Sequence, residues 1–281
     1  FRGWDLGDGD NAPLPSGDHG TWVGGIAGAK TDNANGIASV GYNCKILPVK
    51  IANSTGVLVA AYEGIVYAAD KGCQIINCSW GSAAGRGQYG QDIVDYATLN
   101  KGALVIAAAG NDGNETPMYP AAYKNVINVC ATTSTDVKWS NSSYGIHIDV
   151  CVPGENIYTT KNGGGYWNLT STSFAAPVVS AAAALVKSHY PDYNGLQVGE
   201  QLRVTADLID TIAGNVGYAG KLGSGRINVY RALTEAYHPS VRIDNIYTTD
   251  NGDNYFIAGD TLYIKAKLIN YLANTKNLSV K

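Results

Sequence analysis

The chain of 281 residues is short of charge: charged side chains make up 15% of it, and the formal net charge is −3. Lys124 and Lys138 stand isolated and no Lys/Arg run occurs, which excludes nucleic acid and an anionic membrane surface as general partners. Long apolar runs are also missing. None approaches the ~18 to 20 residues that span a bilayer, so no transmembrane segment is expected. The opening Phe1-Arg2-Gly3-Trp4-Asp5 lacks both a basic start and an apolar h-region, so no signal peptide is read there. Cysteine is scarce. Cys44, Cys73, Cys78, Cys130 and Cys151 have no metal-site spacing, and an odd number cannot all pair within one chain. Four of them lie in or beside apolar strand-like runs and read as buried free thiols, with a single Cys130–Cys151 bridge as the weaker alternative.

What is present is a folding composition: hydrophobic residues reach 45%, with 34 glycines and 19 tyrosines. Short β-branched runs alternate with longer Ala-rich amphipathic stretches up to about residue 237. The predicted strands are Ile46–Ile51, Gln74–Ser79, Leu104–Ala108, Val126–Ala131 and Ile148–Val152, nearly continuous in apolar residues as strands buried on both faces should be. The predicted helices are His19–Ala29, Val57–Asp70, Gln88–Asn100, Phe174–Ser188, Leu196–Val204 and Val229–Tyr237. This alternation predicts an α/β fold, a doubly wound parallel sheet flanked by helices, with ligands at the carboxyl ends of the strands. From Ser240 the texture changes. Val241–Tyr247, Tyr255–Ala258 and Thr261–Leu268 alternate apolar and polar residues between turn signals at Asp250-Asn251-Gly252 and Gly259-Asp260. The expected organisation is one domain over 1–237 and the beginning of an antiparallel β-sandwich over 238–281, since so few residues cannot close a sandwich of ~100.

Three segments carry chemistry. Ser171-Thr172-Ser173-Phe174-Ala175-Ala176-Pro177 feeds a small polar loop into a helix of small apolar residues. A serine hydroxyl there lies beside unpaired backbone N–H groups and the positive end of the helix dipole. Asp18-His19-Gly20-Thr21 opens a Gly-rich helix with a histidine, and Ala107-Ala108-Ala109-Gly110-Asn111 ends an apolar strand in Gly-Asn. Taken singly, each has an ordinary explanation: Ser173 as an N-cap, His19 as a structural or solvent-facing histidine, Asn111 as a turn residue.

Taken together they resemble the subtilisin family: His-Gly-Thr, then Gly-Asn after an apolar strand, then Thr-Ser-x-Ala-Ala-Pro opening a helix. Ile76-Asn77-Cys78-Ser79-Trp80-Gly81 looks like its substrate-binding strand, and Tyr119-Pro120-Ala121-Ala122-Tyr123 like its specificity-pocket loop. Asp149-Val150-Cys151-Val152-Pro153-Gly154 is similar to the strand and turn ahead of its serine, and the match stays in register from Gly3 to Leu233. The resemblance implies a serine endopeptidase with Ser173 as nucleophile, His19 as general base, and the Asn111 side chain with the Ser173 N–H as oxyanion donors. It implies that Ser79, Trp80, Gly81, Thr55 and Gly56 flank the substrate backbone, and that Ala108, Ala109 and Gly110 wall the pocket for the residue before the cut. Met118 stands where a small residue often floors that pocket, so a shortened apolar pocket for small or medium uncharged side chains is expected. Ser171 stands where the family usually has glycine, and Phe174 where it often has methionine. The resemblance further implies protein or peptide substrates, a monomer, a secreted or cell-envelope location and no required cofactor. Structural calcium is common in the family. Asp32-Asn33-Ala34-Asn35-Gly36 offers oxygens for it, but reads better as an ordinary turn, and no metal ligand is assigned.

One part of the pattern is missing. The family order is Asp, His, Ser, with the aspartate at the end of an apolar strand well before the histidine. Only 18 residues precede His19, and none forms such a strand; Asp5, Asp8, Asp10 and Asp18 are loop residues, and none is assigned as the acid. Without an orienting carboxylate the imidazole can take the wrong tautomer, at a cost of about 10⁴-fold in rate in enzymes of this mechanism, subtilisin among them. The absent strand belongs to the middle of the family's sheet, so two unpaired strand edges and poor folding of the isolated chain are expected. A fragment of a longer peptidase is the favoured account, and a peptide-binding pseudoenzyme of the same fold is the alternative. An esterase elbow at Asn77-Cys78-Ser79-Trp80-Gly81 fails for want of its leading glycine, and a P-loop ending in Gly220-Lys221 fails at Asn215 and Leu222.

Overall fold

The structure, a computed structural model, describes residues 3–249, 257–258 and 261–275. In chain order its elements are β1 (Trp4–Asp5), α1 (His19–Gly28), β2 (Val49–Lys50), α2 (Ala61–Asp70), β3 (Ile75–Cys78), α3 (Gln88–Asp95), β4 (Leu104–Ala108) and β5 (Val126–Thr132). There follow β6 (Val150–Pro153), β7 (Ile157–Thr160), β8 (Tyr166–Leu169), α4 (Thr172–His189), α5 (Gly195–Val204), α6 (Val229–Thr234), β9 (Val241–Thr249) and β10 (Tyr263–Asn270).

Strands with no polar face must be covered on both sides. β4 and β5 are buried at every residue and stand at the centre of a four-stranded parallel sheet ordered β3-β4-β5-β6. One face receives α4, whose Ala175, Ala176, Val179, Ala182, Ala183 and Val186 are small enough for close approach to Ile106, Val129 and Val150. The other face receives α2, the end of α3 and the turn that follows it, where Ile65, Ala68, Val94 and Ala97 pack on Ile76, Val105 and Ala107. The layered α/β fold is therefore the one that the alternation of patterns predicts. All five cysteines are free; Cys130 and Cys151 stand opposite each other on β5 and β6, and burial pushes the Cys78 thiol up to about 12.

The sheet comes in two pieces. β1 and β2 make a separate parallel pair, hydrogen-bonded to neither β3 nor any other strand of the larger sheet. Yet α2 packs against both β2 and β3, as one crossover unit. Between those two strands lies a cavity of about 1630 Å³, lined by Val49–Ala52 on one side and Ile75–Gly81 on the other. Its walls are α1 with α4 (Gly20, Gly24, Ala27, Ala181, Ala184) and α2 (Ala61, Gly64, Ile65, Ala68).

At the far end, β9 and β10 form an antiparallel ladder. It is clamped to the α/β layers by Arg242, which pairs with Asp149 at 2.8 Å and with Glu200, and by Lys124, which pairs with Asp244. Several expected boundaries move for physical reasons. β2 is two residues long instead of the six of Ile46–Ile51, because only one of its edges has a partner. α2 begins at Ala61 instead of Val57, because the N–H groups of Val59 and Ala60 are drawn to the Ile51 carbonyl. After α3 the chain continues as a single π-helical turn over Tyr96–Asn100. α6 stops at Thr234, three residues before Tyr237. Sequence reading missed β1 and the β7–β8 hairpin, whose loop uses Gly163, Gly164 and Gly165 at positive φ. Ile257 and Ala258 are not in a strand, and the rest of Tyr255–Ala258 and both predicted turns lie outside the described residues.

Candidate active site

The N-terminus of α4 is organised by its own side chains. Ser171 is extended and caps the helix, its hydroxyl accepting the Ser173 N–H at 3.1 Å. Pro177, inside the helix, has no N–H to give to the carbonyl four residues earlier. That carbonyl, on Ser173, instead accepts the Ser79 hydroxyl at 2.7 Å, and the Ser173 hydroxyl donates back to the Ser79 carbonyl at 3.2 Å. The nucleophile candidate is thus tied to the end of β3 by a reciprocal pair, with the Ser173 residue 9% exposed.

Asn111 follows β4 through Gly110, which sits at φ 106. Its Oδ1 accepts three bonds: from the Thr172 N–H at 2.9 Å, the Thr172 hydroxyl at 2.9 Å and the Ser171 hydroxyl at 3.2 Å. The amide orientation follows from the chemistry, since a backbone N–H cannot bond to an NH₂ group. With the carbonyl side saturated, the Nδ2 of this exposed residue is the part left to donate outward.

His19 is the first residue of α1, which packs on α4. Its ring lies 6.0 Å from Phe174 and 6.4 Å from Trp22, and Trp22 meets Phe174 edge-on at 6.1 Å. Phe174, where the family often has methionine, therefore helps hold the imidazole beside the serine turn. His19 is exposed by surface area, but the protein crowded around it withholds hydration and pushes its pKa down. Its imidazole makes no hydrogen bond to any described residue, neither to Ser173 nor to a carboxylate. Asp5 and Asp8 are committed elsewhere. Burial works to raise the Asp5 pKa, but the ion pair with Lys50 at 2.6 Å prevails and lowers it, and Lys50 lowers that of Asp8.

Ser79, Trp80 and Gly81 follow β3, and beyond them Ser82 bridges Tyr119 by two backbone bonds of 2.9 and 3.0 Å. Ala108, Ala109 and Gly110 are buried along the exit of β4. A Cβ added to Gly110 would lie 2.7 Å from Met118 Cγ, so Met118 packs directly over this glycine. Thr55 and Gly56 sit in a turn closed by Asn53, which takes both their N–H groups at 3.1 and 2.9 Å; only their carbonyls remain for a peptide. His19, Gly56, Ser79, Trp80 and Gly81 all line the large cavity between β2 and β3.

Sequence reading missed Thr172, whose amide and hydroxyl orient Asn111, and Trp22, which braces His19; the run of four hydroxyl residues before Phe174 was the available signal. The turn Asp32–Gly36 is an Asx turn, with Asn33 Oδ1 accepting the Asn35 N–H at 3.1 Å. Among the described residues no three His, Cys, Asp or Glu side chains cluster as a metal site, and no helix is long and apolar enough to cross a membrane.

Comparison with known proteins identifies the family. Thermitase from Thermoactinomyces vulgaris is 39% identical over 82% of this chain and 80% of its own length. A thermophilic serine proteinase from Bacillus sp. strain AK1 is 40% identical over 83% of this chain and 56% of its own. Among solved structures, proteases from Pseudoalteromonas arctica superpose with a TM-score of 0.76 at 24% identity, covering 83% of each chain, which supports the fold. The prenylagaramide maturation protease PagA gives a TM-score of 0.68 at 26% identity, over 77% of this chain and 81% of that one. The subtilase (peptidase S8) profile matches residues 1–236, and the chain belongs to that family of serine proteases.

Proposed function

We propose that the chain carries the bond-cleaving centre of a serine endopeptidase acting on protein or peptide substrates. The observation that carries this reading is Asn111: three donors hold its carbonyl oxygen at the turn that presents Ser173, so its amide N–H can face a developing oxyanion. In this reading Ser173 Oγ attacks the scissile carbonyl and gives its proton to His19, and the oxyanion rests on Asn111 Nδ2 and on the Ser173 N–H, which must first be released by the Ser171 hydroxyl it caps against. His19 then protonates the leaving amine, and water, deprotonated by the same imidazole, releases the acyl group. The Ser173 hydroxyl must leave the Ser79 carbonyl for His19, a rearrangement of the kind that substrate binding often completes. Trp80, Gly81 and the carbonyls of Thr55 and Gly56 flank the substrate as neighbouring strands. Met118 over Gly110 shortens the pocket for the residue before the cut and favours small or medium uncharged side chains.

The imidazole without a carboxylate favours a second reading, a peptide-binding protein of subtilase fold with impaired chemistry. A fluorophosphonate probe with peptide mapping separates them. Labelling at Ser173 that is lost in Ser173→Ala supports the peptidase; an unlabelled, folded chain that still binds peptides supports the second reading. Hydrolysis of substrates with Ala, Leu, Phe or Lys before the cut tests the pocket, and a preference for Lys overturns the role given to Met118.

A further inference from the structure

We infer that Ser171 restrains the oxyanion hole: at rest its hydroxyl occupies the Ser173 N–H, and both donors become available only when that hydroxyl is displaced. This role deepens the peptidase reading and rests on it. Three observations carry it. The first is the bond itself. Of the two oxyanion donors, the Ser173 N–H already donates to Ser171 Oγ at 3.1 Å. An oxyanion and that oxygen compete for one proton. The Ser173 hydroxyl is spent as well, on the Ser79 carbonyl at 3.2 Å, so both polar hydrogens of the nucleophile residue are engaged at rest.

The second observation is what the Ser171 hydroxyl does with its own proton. It donates to Asn111 Oδ1 at 3.2 Å, so one side chain touches both halves of the hole. Its help there is dispensable, because Thr172 supplies its N–H and its hydroxyl to the same Oδ1 at 2.9 Å each. Without the Ser171 hydroxyl, Asn111 keeps two of its three donors and its orientation. The net effect of the hydroxyl is therefore on the Ser173 N–H, and its sign is to slow the reaction.

The third is the backbone. Ser171 is extended, at φ −177 and ψ 158, a conformation that any residue adopts. Its N–H donates to the Gly154 carbonyl at 3.0 Å and its carbonyl accepts the Phe174 N–H at 3.1 Å, so the main chain holds the turn without the side chain. Ser171 is only half-buried, and rotation about its Cα–Cβ bond carries the hydroxyl off the Ser173 N–H. The glycine usual at this position in the family has no such group, so the restraint belongs to this chain. A neutral substrate carbonyl competes poorly for the N–H, whereas the charged oxygen of the tetrahedral intermediate competes well. The cost of displacing Ser171 thus falls on kcat and not on KM.

The test uses the full chain with Ser171→Ala and Ser171→Gly. The probes are the peptide aldehyde acetyl-Ala-Ala-Ala-leucinal, the matching peptide amide and a fluorophosphonate. Ser173 Oγ adds to the aldehyde carbon, the carbonyl π pair passes to the oxygen that enters the hole, and the hydroxyl proton goes to His19. Both variants should bind the aldehyde about three- to tenfold more tightly and label faster by a similar factor, the worth of one neutral hydrogen bond, with amide binding unchanged. Ser171→Ala should at the same time lower the melting temperature by about 2 to 4 °C through loss of the helix cap, and Ser171→Gly by less. A faster site in a less stable chain is not what a purely structural cap gives. Aldehyde binding that is unchanged or weaker in both variants, with Ser173 still labelled, overturns the restraint and leaves the peptidase reading standing. Amide binding that tightens as much as aldehyde binding also overturns it, because the effect would then lie in ground-state contacts. If neither the parent chain nor the variants form an adduct while folded by circular dichroism, the peptidase reading falls and the restraint falls with it.

Discussion

The two sides of the sheet are made from the same apolar, β-branched vocabulary and reach opposite states. β4 and β5 have hydrogen-bonded neighbours on both edges and helices on both faces, and every one of their residues is buried. β2 has a neighbour on one edge only, extends over two half-buried residues, and leaves Ile46 exposed just before it. Sequence pattern thus decides which faces of a parallel strand are apolar, but edge partners decide how long the strand is. The candidate site straddles the two sides. Ser173 and Asn111 are held by β3, β4 and α4, on the side with full packing, while His19 stands on α1, which forms part of the wall of the cavity.

The comparison is tested most severely by cavity-making substitutions. Leu104 on β4 is fully buried, and Leu104→Ala should destabilise by about 2 to 5 kcal/mol. Ile46→Ala, beside the short strand, should stay within about 0.5 kcal/mol, as partly exposed positions usually do. Denaturant melts of the two variants check this, and similar losses would mean that the β2 side is as tightly packed as the β4 side. Next in size is the Asn111 amide. Asn111→Ala should slow labelling or hydrolysis at Ser173 by about 10² to 10³, the size of the effect that loss of the corresponding donor has in subtilisin, a member of the same family. An effect on KM alone would instead make Asn111 a substrate-binding residue.

Legibility in the sequence follows the same division. Leu104–Ala108 is readable to the residue, because five consecutive apolar positions flanked by Gly102 and Gly110 allow only a doubly buried strand. Ser173, His19 and Asn111 are readable as a set through the family pattern, but not singly. What local pattern does not give are the tertiary consequences. The bond from Ser79 to the Ser173 carbonyl depends on Pro177 emptying that acceptor, and the saturation of Asn111 depends on Thr172, 61 residues away in sequence. The β7–β8 hairpin escapes notice because three consecutive glycines read as an open loop, although their positive φ values turn the chain back on itself. The shortening of β2 is invisible because a run from Ile46 to Ile51 says nothing about which edge finds a partner.

The pocket gives a smaller expected effect. Met118→Gly removes the side chain packed over Gly110 and should raise the preference for Phe over Ala before the cut by about tenfold, in line with 1 to 3 kcal/mol for apolar complementarity. Relative kcat/KM on paired substrates reads this directly, and an unchanged ratio would place the pocket floor elsewhere.

The smallest effect concerns His19 and bears on the half of the site that faces the cavity. A general base must be neutral, and desolvation holds the His19 pKa below its ordinary 6.5. The acidic limb of the labelling rate should therefore lie below pH 6.5, where an ordinary histidine would already have lost half its activity, so the gain there is at most about twofold. The sign for stability is the same. The folded chain binds the proton less readily than the unfolded one, so this group leaves stability intact above the unfolded pKa and reduces it as pH falls through the folded one. An acidic limb at or above pH 6.5 would show that His19 is hydrated like an ordinary histidine.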